Sequence, residues 1–197
     1  LYPSIFNLWY HHDDADRILV DIPIGLRSGG KRACDVEARR LLGGARGSSV
    51  FYTPTREAVA AETIIDAKQA QVDLDFSVQN QAWALVPRIR EVDEFLAMFA
   101  DDLVDTEVRE THPEVCFTAL NDGEPMTHDK QTAAGRDERL DVLSAALPTA
   151  RRLYDEAVET FTEPEWAPVV GKRGRDDIID AMVAALVAQE CGPTPLA

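Results

Sequence analysis

The sequence predicts an α/β fold, a sheet with helices on its faces. Two stretches, the apolar "RILVDIPIGL" and "TEVRETHPEVCF", read as strands. Several other stretches place apolar residues at i, i+3, i+4 and i+7, the period of a helix with one buried face. The two kinds of segment alternate along the chain, the pattern of strands connected by helices.

The elements follow in order. "SIFNLWYHH" spaces Ile5, Leu8 and Trp9 for an amphipathic helix capped by Ser4, and "DDAD" closes it. "RILVDIPIGL" is short enough for a central strand. "RSGGKRACD" reads as loop, and "CDVEARRLLG" as a helix stopped by Gly43 and Gly44. Pro54 closes a turn-rich stretch, after which residues 56–71 read as helix, while "DLDFSVQNQAWALVPRI" gives a mixed signal. "IREVDEFLAMFADDL" carries one stripe of Ile89, Val92, Phe95, Leu96, Phe99 and Leu103. The second strand is expected to end near Pro113, because the residue before a proline is pushed to extended geometry. A polar loop, "NDGEPMTHDKQTAAG", leads to the helices "RDERLDVLSAAL" and "ARRLYDEAVETF". The Pro/Gly connection "TEPEWAPVVGKRG" precedes a last helix with Ile179, Met182, Val183 and Leu186 at core spacing.

A chain of 197 residues with 45% hydrophobic content can bury one good core, so 1–197 is read as a single domain. Two convincing strands are few for such a domain. Since residue 1 is leucine rather than methionine, further strands of the sheet are expected ahead of it. No run approaches the roughly 18 apolar residues of a membrane span, and no leader is evident, so a soluble cytoplasmic protein without a membrane partner is expected. Cys34, Cys116 and Cys191 are widely spaced with no CxxC pair, which argues for reduced thiols.

The formal charge of −15 arises from 35 acidic and 20 basic residues, of which only Lys31, Lys68, Lys130 and Lys172 are lysines. Such a surface suits a salt-rich cytoplasm, where self-repulsion is screened. It also means that any phosphate-binding face must be local, or be supplied with positive charge by bound metal.

The residues with chemical potential are acids. Asp21 interrupts the first strand, followed by Pro23 and Gly25. It is either a strand-end residue bonded to nearby backbone, or a carboxylate facing the crevice where α/β proteins bind ligands. Asp177 and Asp180 stand at i, i+3 on the last helix and project from one face; Asp176 is the natural cap of that helix. A strand carboxylate with such a pair makes an oxygen donor set for Mg²⁺ or Mn²⁺. In "ETHPEV", Glu110, His112 and Glu114 alternate along a strand and so share one face, with His112 able to titrate near neutrality. Arg56, Lys130, Thr132, Arg136 and Arg139 form either a local phosphate-binding patch or an ordinary solvated face.

Together "ILVDIPIGL", "CDVEARRLLG", "SSVFYTPTR", "QAWALVPRIREVD", "ETHPEVCFTAL", "DKQTAAGRDERL" and "DDIIDAMVAA" resemble, in order and over nearly the whole chain, the DUF429 proteins, which are predicted nucleases of RNase H-like fold. The resemblance implies a three-layer fold, a mixed sheet flanked by helices, with acids on its first strand, fourth strand and last helix. "RILVDIPIGL" would be the fourth strand and contribute Asp21. Asp177 and Asp180 would take the helix position, and "ETHPEV" would be the fifth strand, with His112 and Glu114 near the site. Family members open with a GVD-like motif and a nearby Gly-Trp, which the residues from Leu1 onward do not contain. The implied activity is divalent-metal-dependent hydrolysis of RNA or DNA. Asp21, Asp177 and Asp180 would hold Mg²⁺ or Mn²⁺, His112 or Glu114 would move protons, and Arg56, Lys130, Thr132 and Arg139 would contact substrate. The alternative is a non-catalytic binding or scaffold domain that kept the fold. Neither the oligomeric state nor the strandedness of a substrate follows from the residues.

Overall fold

The computed structural model describes residues 1–103, 106–166 and 174–190. They group into two compact units, Leu1–Thr111 and His112–Ala197. The architecture is helix-rich α/β with a small parallel sheet.

The first unit opens with α1, Ile5–His11, whose N-cap Ser4 accepts from the Asn7 N–H as the sequence predicts. The strand β1, Arg17–Val20, pairs in parallel with β2, Glu107–Glu110, in the register Arg17 to Glu107 through Val20 to Glu110. At one end of this ladder the Arg17 Nε donates to Glu107 at 2.6 Å, a charged pair on directly facing residues. Parallel neighbours need a crossover between them, and here it holds α2 (Ala33–Arg46), α3 (Arg56–Ala60), α4 (Ile64–Ala70) and α5 (Asn80–Met98).

All four of these helices differ from expectation. In α2 the backbone leaves helical geometry at Gly43 (φ +64°, ψ −170°), the predicted stop, but a further turn continues to Arg46. Only glycine takes that conformation without strain. The single helix expected over 56–71 is two, because Thr55 and Thr63 each cap a new start, their hydroxyls accepting from Ala58 and Asp66. The α5 helix begins at Asn80, nine residues before the predicted start at Ile89, and runs through Pro87. Burial outweighs the proline's local cost: Ala82, Val86, Ile89, Val92 and Phe95 all lie on its inner face. Phe95 stacks on Phe99 at 5.0 Å and receives Phe6 edge-on at 5.4 Å, joining α1 to α5.

The second unit consists of α6 (Pro113–Leu120), α7 (Ala133–Ala146), α8 (Ala150–Thr162) and α9 (Gly174–Glu190). Its core includes Phe117, Leu143, Tyr154, Ile179, Val183 and Leu186, so the predicted stripe of the last helix is the one it buries. The strand expected to reach Pro113 ends at Glu110 instead. His112 is the N-cap of α6, with Pro113 at the first helical position, where its missing N–H costs nothing. Glu110, His112 and Glu114 therefore do not share a strand face; Glu114 lies in the first turn of a helix. Asp176 is likewise not a cap, since α9 already begins at Gly174. Cys34 is exposed and Cys116 buried; Cys191, Lys172 and most of the connection after Trp166 lie outside the described residues. Among the described residues no helix is long and apolar enough to cross a membrane.

Candidate functional site

In the first unit, Asp21 follows the last residue of β1 and is exposed at the strand's carboxyl end, where the sequence places it. Ile22 and Ile24 are half-buried against the core around Phe95, Pro23 is buried, and Asp21 stands exposed at the start of the bend.

The turn that carries Asp21 is clamped by a buried ion cluster. Glu110 accepts the Ile24 N–H at 2.8 Å, and Arg32 donates to the Ile24 carbonyl at 2.7 Å. The Arg32 guanidinium holds Glu110 with both terminal nitrogens, at 2.6 and 2.7 Å, and Asp35 at 2.5 and 3.1 Å. The other oxygen of Asp35 accepts the Thr53 N–H at 2.8 Å. Burial alone would lower the Arg32 pKa, but the hydrogen bonds and charges of Glu110 and Asp35 outweigh it and hold the group above its ordinary value. The cluster ties the carboxyl ends of both strands to the start of α2. Its only local signal is the i, i+3 spacing of Arg32 and Asp35; Glu110 comes from 78 residues away. Arg56, also in this unit, is exposed and holds Asp93 of α5 with both terminal nitrogens, at 2.7 and 3.2 Å.

The second unit collects acids and cations around the start of α9. Asp177 is exposed, whereas the Asp180 side chain is only 12% exposed and accepts from the Lys130 ammonium at 2.7 Å. Burial pushes the Asp180 carboxyl up; Lys130 draws it back, while the charges of Glu114 and Asp177 add to the rise. Burial also raises Asp176, opposed by the positive charges of Lys130 and Arg136. Glu114 is buried in α6 and accepts from Arg139 at 2.6 Å, leaving its second oxygen buried without a hydrogen-bond partner. Arg139 is 1% exposed and donates also to the carbonyls of His128 and Gly135, so it is engaged inside the unit rather than presented outward.

The loop bearing Lys130 is rigidly seated. Thr132 caps α7, accepting from the Gly135 N–H at 3.0 Å and donating to the Asp129 carbonyl at 2.7 Å. Gly135 is required by close approach: a Cβ there would sit 1.9 Å from the Asp129 carbonyl oxygen. Glu138 accepts the N–H groups of Thr127 and His128 at 2.7 and 2.9 Å. Burial pushes its carboxyl up, but these donors outweigh it and hold the group below its usual range.

Of the predicted site residues, then, Asp177, Asp180, Glu114, Lys130, Thr132, Arg139 and the capping His112 lie in the second unit, with Asp21 and Arg56 in the first. Oxygen donors suit a hard divalent cation. Two observations fit such an ion at Asp180: an ammonium stands as counter-charge on its oxygen, and the neighbouring Glu114 keeps an orphaned buried oxygen. Among the described residues no three His, Cys, Asp or Glu side chains are close enough to hold an ion by themselves. Water completing the shell around one or two carboxylates is the usual arrangement for Mg²⁺. Elsewhere, in the first unit, a shallow cavity of about 470 Å³ lined by Lys68, Gln71, Leu74 and Phe76 involves none of the predicted residues.

The family model described as "Protein of unknown function (DUF429)" matches residues 1–194. No curated protein and no solved structure matches the chain.

Proposed function

The chain belongs to the DUF429 family, and on that footing we propose that it is a divalent-metal-dependent nuclease of RNase H-like three-layer fold, hydrolysing phosphodiester bonds in RNA or DNA. The observation that carries the reading is Asp180, a carboxylate held largely out of water on the last helix with a lysine ammonium as its counter-charge. Burying an acid is costly unless a cation compensates it, and the Lys130 ammonium stands in that place here.

In this reading Asp21, Asp177 and Asp180 hold Mg²⁺ or Mn²⁺, which supplies Lewis-acid polarisation of the phosphodiester and lowers the pKa of water. Asp177 and Asp180 project together from one helix face. The Arg32–Glu110 clamp fixes the turn beneath Asp21, so that its carboxylate needs little reorganisation to act. Glu114, positioned by Arg139, and His112 at the start of the same helix hold or move protons. Arg56, Lys130 and Thr132 present charge or hydroxyl groups to phosphates.

The test is Mn²⁺-dependent cleavage of end-labelled single- and double-stranded RNA and DNA by the wild type and by Asp21→Asn. Cleavage by the wild type and its loss in the variant are expected; equal cleavage by both would remove Asp21 from the reaction. A second reading, a non-catalytic binding module, is favoured by the cation partners that Asp180 and Glu114 already have, Lys130 and Arg139. Nucleic-acid binding with no Mn²⁺-dependent cleavage would select it.

A further inference from the structure

We propose that the cavity of the first unit binds a small apolar carboxylate. Lys68 and the side-chain amide of Gln71 would hold the carboxylate, and Val72, Leu74 and Phe76 would cover the apolar body. The site is separate from the nuclease reading, and no residue of that reading lines it.

The cavity is lined by the last turn of α4 and the segment 71–77, and its volume of about 470 Å³ is that of a small-molecule site. Its charges fix the sign of the ligand. Lys31 stands beside it and is fully engaged: its ammonium donates to Asp75 at 2.6 Å and lies over the rings of Tyr52 at 4.5 Å and Phe76 at 5.9 Å. That contact cancels the charge of Asp75. Lys68 is exposed and has no acidic partner among the described residues. One positive charge is therefore left over at this cavity, in a chain of formal charge −15 with only four lysines. It calls for one negative charge on the ligand. A polyanion is disfavoured by the exposed Asp73 and Asp75 of the same segment.

Gln71 narrows the chemistry further. It lines the cavity and is 2% exposed. Its Oε1 accepts the Thr55 N–H at 3.1 Å, which fixes the orientation of the amide. Its Nε2 is buried with no hydrogen-bond partner among the described residues. A buried donor in that state carries its desolvation cost uncompensated. A carboxylate offers two acceptor oxygens, one for the Lys68 ammonium and one for this amide. A neutral ligand would leave the ammonium unmatched, and a phosphate dianion would bring a second charge with no second cation to meet it. The rest of the lining is apolar. Val72 is 62% exposed beside the half-buried Leu74 and the buried Phe76, and a hydrocarbon body would take that surface out of water.

The test titrates benzoate into the isotope-labelled full chain and follows two-dimensional amide NMR spectra, with benzamide as the neutral isostere and phenyl phosphate as the dianion. Benzoate should shift the backbone amides of residues 68–77 and the side-chain amide of Gln71, and should bind about tenfold more tightly than benzamide. Lys68→Gln should weaken benzoate about tenfold and leave benzamide unchanged, while Lys68→Arg should keep benzoate. Both variants alter an exposed side chain, and unchanged spectra away from the cavity would show the fold intact. Absence of benzoate shifts in 68–77 at millimolar concentration, or shifts only elsewhere, overturns the site. Equal affinity for benzoate and benzamide, or for wild type and Lys68→Gln, overturns the assignment of an anion held by Lys68. Tighter binding of phenyl phosphate than of benzoate overturns the carboxylate.

Discussion

Replacing Arg32 by methionine removes the positive centre of the buried cluster while keeping most of its volume. Three acceptors lose their donor: Glu110, Asp35 and the carbonyl of Ile24. They are not equal. The Glu110 side chain is 29% exposed and can rehydrate, and it keeps the Ile24 N–H. Asp35, at 4% exposure, keeps only the Thr53 N–H and a weak contact from the Cys34 Sγ at 3.6 Å, and no water can replace the guanidinium. Removing one partner of a buried pair costs about 3–5 kcal/mol, and the exposure of Glu110 places this case near the lower end. A loss of about 3 kcal/mol lowers the midpoint of thermal unfolding by about 6–12 °C for a chain of this size. Arg40→Met is the control, since Arg40 pairs with Glu37 on the surface, where 76% of its side chain is exposed; its loss should stay within about 0.5 kcal/mol. The assay is urea unfolding of both variants followed by circular dichroism. Equal midpoints for Arg32→Met and Arg40→Met would refute the claim that this cluster organises the first unit.

Gly135→Ala should be destabilised by more than about 1 kcal/mol despite alanine's better helix propensity, because the new methyl group meets the Asp129 carbonyl; a thermal midpoint at or above wild type would show that the loop gives way freely. Glu138 has a folded pKa below its unfolded value, so its contribution is fully present above about pH 4.3 and is lost as pH falls through the folded value. The stability gap between wild type and Glu138→Gln should therefore be open at pH 6 and close in acid, as read from urea midpoints across that range.

Helix starts and core stripes were legible in the sequence because both are local. Ser4 caps α1 by a bond to a residue three positions on, and the Ile179–Val183–Leu186 stripe is a spacing read directly from the residues. Where local rules misled, tertiary burial or a stronger cap won. Pro87 marks a boundary by its own preference, yet α5 passes through it because Val86 and Ile89 on either side are buried. Pro113 marks a different boundary from the expected strand end, since the strand already stops at Glu110. It starts a helix rather than merely ending a strand, and so moves Glu114 off the strand face.

By itself the sequence determined the family, the two strands, and the place of Asp21 at the end of the first of them. Only the tertiary structure decided which charges meet. Lys130 and Asp180 are 50 residues apart, and Arg32 and Glu110 are 78 apart. The strength of such a pair is set by how much water folding removes from around it, a quantity that spacing along the chain does not encode.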